Sequence, residues 1–142
     1  MIIKESAFEI IKEIEKYTDK EFGGILGSTD GQVINAIAFD SSPNHDVYTY
    51  SPNIKYLNSI LVRWSKKGIV FKGMFHSHLF GIKQLSEKDE DYIKTVMNSL
   101  QDESIKLFFP IYVLPDNELI NYIGVKSLNG VSIYKGNVWV IP

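Results

Sequence analysis

The sequence contains no cysteine among its 142 residues. A disulfide framework and a thiolate metal site are therefore excluded, and any bound metal must be held by nitrogen and oxygen. The N-terminal segment MIIKESAFEI lacks the apolar core of a signal peptide, and no apolar run approaches the length of a membrane span. We therefore expect a cytoplasmic protein with no membrane partner.

The sequence also lacks a strong charge of either sign. The formal net charge is −2, which argues against binding to nucleic acid through a broad basic face. Hydrophobic residues make up 44% and charged residues 23%, values typical of a globular protein with a core of ordinary size. In the absence of repeats or linker-like stretches, we predict one domain over residues 1–142.

Three segments carry helix signals. Apolar residues at helical spacing predict an amphipathic helix over residues 5–20, with Tyr17 as the last residue of its apolar face. Ser51 and Pro52 form an N-cap and a first-turn proline for a second helix, which Gly68 ends. Ser86 begins the third helix.

The remaining apolar segments predict strands. They are residues 24–28 and 32–39, joined by an Asp30-Gly31 turn, then the run IVFKGMFHSH, and finally residues 107–114, 118–126 and 131–140. Pro110 requires the first of these last three to be bulged, shortened or at an edge. The element order α-β-β-α-β-α-β-β-β predicts an α/β protein with helices packed on the faces of a mixed sheet.

Two of the three histidines stand in His76-Ser77-His78, at the end of a predicted strand. Residues two apart in an extended chain point to the same face, with Cβ atoms roughly 6–7 Å apart. Two imidazoles at that spacing can bind one ion, and an oxygen ligand would complete a catalytic zinc site with one position open to water. Two satisfied histidines at a strand end are the structural alternative.

Spacing alone does not select the oxygen ligand. The nearby carboxylates are those of Glu87, Asp89, Glu90 and Asp91. Acidic residues in the first turn of a helix also stabilise the helix dipole, and Ser86-x-x-Asp89 is typical of a capping box. Taken alone, the cluster favours this structural interpretation.

The motif as a whole resembles the JAMM (JAB/MPN) metalloprotease family. His76-Ser77-His78, then seven residues, Ser86, two residues and Asp89 match its H-S/T-H-x7-S-x-x-D signature. Residues 21–27 (EFGGILG) are similar to the family's E-x-G-G-x-L-x-G segment, one residue shorter before the last glycine. Leu79 replaces the proline that usually follows the second histidine. The likeness covers nearly the whole chain and implies a three-layer α-β-α fold with a mixed central sheet, JAB/MPN-like (cytidine-deaminase-like).

The resemblance also implies a role for each matching residue. His76, His78 and Asp89 would hold one Zn²⁺ per chain. Glu21 would act as the general base toward water, and Ser86 would donate a hydrogen bond to the oxyanion. The implied activity is a peptidase or isopeptidase that cuts after the C-terminal glycine of a ubiquitin-like or sulfur-carrier protein.

Two other functions fit parts of the sequence. A non-catalytic interaction module of the same fold would typically have lost ligands or the glutamate, whereas this chain keeps them. A non-haem iron enzyme also uses two histidines and a carboxylate, but it would leave Glu21 and Ser86 without a role. The aromatic run at residues 47–50 is expected to pack against the protein rather than to bind substrate.

Overall fold

The computed structural model describes residues 1–45, 49–102 and 105–142. The helices are α1 (Glu5–Ile14), α2 (Ile54–Lys66) and α3 (Glu87–Ser99). The strands are β1 (Ile2–Lys4), β2 (Gly23–Ser28), β3 (Val33–Ile34), β4 (Ala36–Phe39), β5 (Asn44–His45), β6 (Tyr50–Ser51), β7 (Val70–His78), β8 (Ile105–Phe108), β9 (Ile111–Val113), β10 (Glu118–Ser127), β11 (Gly130–Gly136) and β12 (Trp139–Ile141). In the described ranges, no helix is long and apolar enough to cross a membrane.

A seven-stranded mixed sheet organises these elements. Its order is β11-β10-β8-β7-β2-β4, and β9 continues the line of β8 by pairing with both β10 and β7. Strand β7 is antiparallel to β2 and parallel to β8 and β9. The long strand β7 therefore lies inside the sheet, and its C-terminal end carries both histidines of the motif.

The helices cover both faces of this sheet. Alternate residues of β7 point in opposite directions, so that Phe75 packs in a core cluster with α1, and Met74 packs in a second cluster with α2 and α3. A small parallel sheet in the order β12-β1-β3 lies on the α1 side through Ile3 and Ile34. The predicted three-layer α-β-α architecture with a mixed central sheet is confirmed.

Two helix boundaries differ from the prediction. Helix α1 ends at Ile14 and tightens into a 3₁₀ turn over Glu15–Tyr17, after which Thr18 is extended; Tyr17 is therefore 82% exposed instead of packed. The second helix is capped by Asn53, whose side chain accepts from the Tyr56 N–H, and not by Ser51, which lies in β6. Gly68 has a positive φ of 72°, as its role in ending the helix requires.

Three predicted strands are interrupted. The predicted strand 32–39 is divided at Asn35, whose side-chain amide exchanges two hydrogen bonds with Thr29. The two pieces, β3 and β4, join different sheets. Pro110 divides the strand 107–114 into β8 and β9, since proline has no N–H for the ladder. The segment 131–140 likewise divides into β11 and β12. Strand β1, which no sequence signal predicted, pairs with both β12 and β3.

A reciprocal pair of hydrogen bonds fixes the position of β2 against β7. The Phe22 N–H donates to Ser77 Oγ, and the Ser77 N–H donates to the Phe22 carbonyl, both over 2.8 Å. Both residues are buried, with Ser77 fully inaccessible. Because Gly23 pairs with His76 in the same register, Glu21 lies beside the C-terminal end of β7.

We predict that Ser77→Ala lowers the free energy of unfolding by about 1–3 kcal/mol, because the buried Phe22 N–H would lose its acceptor. Chemical denaturation followed by circular dichroism measures the change. Ser65→Ala is the matched control, since its hydroxyl donates to the Val62 carbonyl on an exposed helix surface; a change within about 0.5 kcal/mol is expected there. Equal effects in the two variants would contradict the assignment.

Candidate metal centre

The two histidines at the end of β7 meet as their spacing predicted. His76 and His78 face the α2–α3 side of the sheet, and their Nε2 atoms lie 2.9 Å apart. The His78 ring is almost completely buried, and the His76 side chain is 17% exposed. The extended backbone of β7 is what brings the two rings together on one face.

Helix α3 supplies the third group. Asp89 lies in its first turn, with Oδ1 3.3 Å from His76 Nε2 and Oδ2 3.0 Å from His78 Nε2. Of the four candidate carboxylates, only that of Asp89 joins the two histidines in a cluster whose ligand atoms all lie within 4.8 Å of one another; this holds for the ranges that the structure describes.

The capping interpretation of Ser86 and Asp89 is confirmed. Ser86 caps α3: its Oγ accepts from the Asp89 N–H over 3.0 Å, and its own N–H donates to Asp89 Oδ2 over 2.9 Å. The same carboxylate oxygen faces His78. The capping box therefore holds Asp89 in the orientation that a metal ligand would need.

The hydrogen bonding of His78 favours a cation between the three side chains. Its Nδ1 lies 3.1 Å from the Ile82 carbonyl oxygen, which can only accept, so Nδ1 carries the proton. Nε2 of the neutral ring then has only a lone pair to present to His76 and Asp89. Either a proton or a metal ion must lie there.

The separations also suit zinc. Ligands about 2.0–2.1 Å from a tetrahedral zinc lie roughly 3.3 Å from one another. In the structure the two Nε2 atoms are 2.9 Å apart, and each lies near one oxygen of Asp89, His76 at 3.3 Å from Oδ1 and His78 at 3.0 Å from Oδ2. Two imidazoles and one carboxylate are a common donor set of catalytic zinc sites, in which the fourth position stays open. The residues present therefore fit a zinc ion.

Contact between Asp89 and the two histidines shifts the pKa of the carboxyl down and the pKa of His78 up. Burial alone would raise the pKa of the Asp89 carboxyl, but the hydrogen bonds from His76 and His78 outweigh it and hold that pKa well below its usual range. Burial alone would lower the pKa of His78, yet the hydrogen bond and the charge of Asp89 raise it. The cluster thus stabilises an anionic carboxylate beside a positive charge, the arrangement that a cation site requires.

The loop that follows His78 is held by its backbone. The Leu114 N–H donates to the His78 carbonyl over 2.9 Å, and the Gly81 N–H donates to the Leu114 carbonyl over 2.7 Å. Phe80 has a positive φ of 60°, which bulky residues rarely adopt, and its side chain is 82% exposed. Fixed backbone bonds, and not burial of Phe80, therefore keep the Ile82 carbonyl against His78.

Glu21 and Ser86 line one cavity beside the cluster. This cavity of about 250 Å³ is also lined by His78 and Asp89, so that four of the five predicted site residues border it. His76 and Asp89 border a second cavity of about 350 Å³, whose other walls include the apolar side chains of Met74 and Phe109. All five predicted residues therefore lie in one region, where β7 ends and where β2 and α3 begin.

Sequence reasoning did not identify the residues that hold this arrangement. Ser77 stood inside the motif but had no role assigned to it. Asp40 carried no motif at all. Tyr50 was expected only to pack; it is half-buried and makes two hydrogen bonds at the site, whereas Val47 and Tyr48 of the same run lie outside the described residues.

The chain is similar to known proteins in structure. Neither a protein-family model nor the sequence of a curated protein matches it. Its structure is similar to the solution structure of a protein from Desulfitobacterium hafniense, with a TM-score of 0.64 and 20% identity over 99% of this chain and 93% of that one.

Two further solved structures are similar to this chain over nearly their whole length. One is a JAB1/MPN domain protein from Archaeoglobus fulgidus, with a TM-score of 0.54 and 18% identity over the whole of both chains. The other is described as JAMM, a metalloprotease-like zinc site in the proteasome and signalosome; its TM-score is 0.53, with 16% identity over 100% of this chain and 98% of that one. The chain therefore has the fold of the JAB1/MPN domain.

Proposed function

We propose that the protein is a JAMM-type zinc-dependent peptidase or isopeptidase. The observation that carries this proposal is the cluster of three side chains able to bind a metal, two of which, His78 and Asp89, line the same cavity as Glu21. A structural histidine pair would need neither a carboxylate in contact with both Nε2 atoms nor a glutamate on the adjoining cavity. The fold of the similar structures supports the same assignment.

His76, His78 and Asp89 would hold the ion. When bound, Zn²⁺ polarises a carbonyl group and lowers the pKa of water to about 7. Glu21 then accepts the proton that water releases as its oxygen bonds to the carbonyl carbon, and returns that proton to the leaving nitrogen as the C–N bond breaks. One Glu21 oxygen accepts from the Tyr50 N–H, and the other is left for this transfer.

Ser86 has the position for a second role. Its oxygen accepts from the Asp89 N–H, and its hydroxyl keeps a proton to donate. A donor aimed at the carbonyl oxygen stabilises negative charge that appears only in the transition state. In this mechanism Ser86 both caps α3 and stabilises the oxyanion.

For the substrate we propose a ubiquitin-like or sulfur-carrier protein with a C-terminal glycine tail. Small glycine residues suit a narrow approach to a cluster that is mostly buried. An extended tail could lie along the two adjoining cavities, of about 250 and 350 Å³. A non-catalytic interaction module is the competing function, and Glu21 is the residue whose substitution separates the two.

The protein prepared without added metal should contain about one zinc per chain by elemental analysis. His78→Ala should lose most of the zinc, and Asp89→Asn should bind it more weakly, since a catalytic site has only three protein ligands. Asp91→Asn is the matched control because Asp91 lies in the same helix and outside the ligand cluster; it should keep its zinc. Full zinc occupancy in both ligand variants, or iron in place of zinc, would contradict the site as proposed.

Ser86→Ala should reduce kcat by about 10²–10³ through the loss of one oxyanion donor. The free energy of unfolding should fall by roughly 1 kcal/mol, because the N-cap of α3 is lost as well. Steady-state kinetics and chemical denaturation on the same preparation measure the two effects. A variant of lower stability and unchanged kcat would leave Ser86 with capping alone.

Glu21→Gln tests the proposed enzyme most directly. Glutamine keeps the size of the side chain and can accept from the Tyr50 N–H, but it cannot take up the proton as a carboxylate does. We expect the variant to fold, to bind zinc normally and to lose about 10²–10⁴ in kcat. Zinc content and kcat on a tagged ubiquitin-like substrate are measured beside the wild type. Unchanged kcat would refute the mechanism, and loss of zinc would show that Glu21 is itself a ligand.

A further inference from the structure

Asp40 is a fully buried carboxylate outside the metal cluster. It follows β4, and its own N–H donates to the Gly23 carbonyl over 2.9 Å, which ties it to β2. Its Oδ2 accepts from the Tyr50 hydroxyl and from the Asn53 N–H, both over 2.9 Å. Burying a carboxylate is unfavourable unless it is well hydrogen-bonded, so these donors must stay in place for it to remain there.

Tyr50 links this carboxylate to Glu21. Its hydroxyl is held by Asp40 at one end, and its backbone N–H donates to Glu21 Oε2 over 3.1 Å at the other. Its ring lies directly over Gly23, where a Cβ atom would come within 2.4 Å of the ring. Burial and the Asp40 charge raise the pKa of Tyr50, so its hydroxyl stays protonated and can donate.

We propose that Asp40 and Tyr50 form a positioning pair that sets the orientation of the Glu21 carboxylate. The inference rests on the proposed function, in which Glu21 transfers the proton. Glu21 lies two residues before β2, and its flexible side chain would otherwise sample several rotamers. The Tyr50 N–H fixes one carboxylate oxygen and directs the other away from it. A displacement of about 1 Å at such a group can cost about 10²-fold in rate.

Tyr50→Phe isolates the hydroxyl. The ring over Gly23 and the backbone N–H are kept, and only the bond to Asp40 is lost. We expect kcat to fall about 10–100-fold with KM and zinc content unchanged, because only the transition state depends on the orientation of Glu21. Asp40→Asn should act in the same direction. Tyr112→Phe is the matched control: its hydroxyl bonds to Asn117 on the opposite side of the sheet, and kcat should not change.

A double-mutant cycle distinguishes positioning from general destabilisation. If Tyr50 acts through Glu21, Tyr50→Phe should change kcat less than about twofold in the Glu21→Gln background, since coupled residues are not additive. A loss of the same size in both backgrounds would mean that Tyr50 acts independently of Glu21 and would overturn the proposal. Lower stability with unchanged kcat in the single variant would also overturn it.

Hydrogen exchange of the residue-50 amide gives a readout that needs neither metal nor activity. In metal-free protein followed by NMR, we expect exchange at least tenfold faster in Tyr50→Phe and Asp40→Asn than in the wild type, and no change in Tyr112→Phe. If the wild type is no peptidase, faster exchange would still support the positioning pair, and the proposed function alone would fail. Unchanged exchange in both variants would overturn the pair.

Discussion

The reciprocal hydrogen bonds between Ser77 and Phe22 are the constraint on which the site depends. Ser77 stands between the two histidines of β7, and its buried side chain binds Phe22 on the neighbouring strand. Because one slip in register would turn every side chain of β2 to the other face, these bonds determine where Glu21 lies. The middle residue of the histidine motif therefore helps to set the geometry of the site, although it lies outside the cluster of possible metal ligands.

Asp89 shows how a structural and a functional interpretation of one residue can be compatible. From the sequence, the acidic first turn of α3 is sufficiently explained by capping and by the helix dipole. In the structure, one carboxylate oxygen accepts from the Ser86 N–H and also faces His78. The start of the helix and the metal cluster thus share one orientation, and a change in either must affect the other. Capping would therefore hold the proposed ligand in its binding orientation before a metal arrives, which a flexible loop would not do.

The sequence predicted what short-range spacing determines. Strand periodicity placed His76 and His78 on one face, and local capping chemistry gave the start of α3. Contacts between distant segments were beyond such reasoning: Asp40 meets Tyr50 and Asn53 only because the chain folds back on β2. The same limit explains Ser51, since both it and Asn53 suit an N-cap by composition and only the path of the chain after β6 selects Asn53.

The parts of the site differ in how they are held. The proposed ligands come from the end of a central strand and from the first turn of a helix, whose backbones are fixed by the sheet and the capping box. Glu21 directly precedes Phe22, which is bound to Ser77. The Glu21 carboxylate accepts a hydrogen bond from an N–H of β6, a two-residue strand. In the proposed function, metal binding and proton transfer therefore depend on separate contacts. A chain of this fold that lost the contacts to Glu21 would keep the cluster of His76, His78 and Asp89, and it would then bind metal without acting as a peptidase.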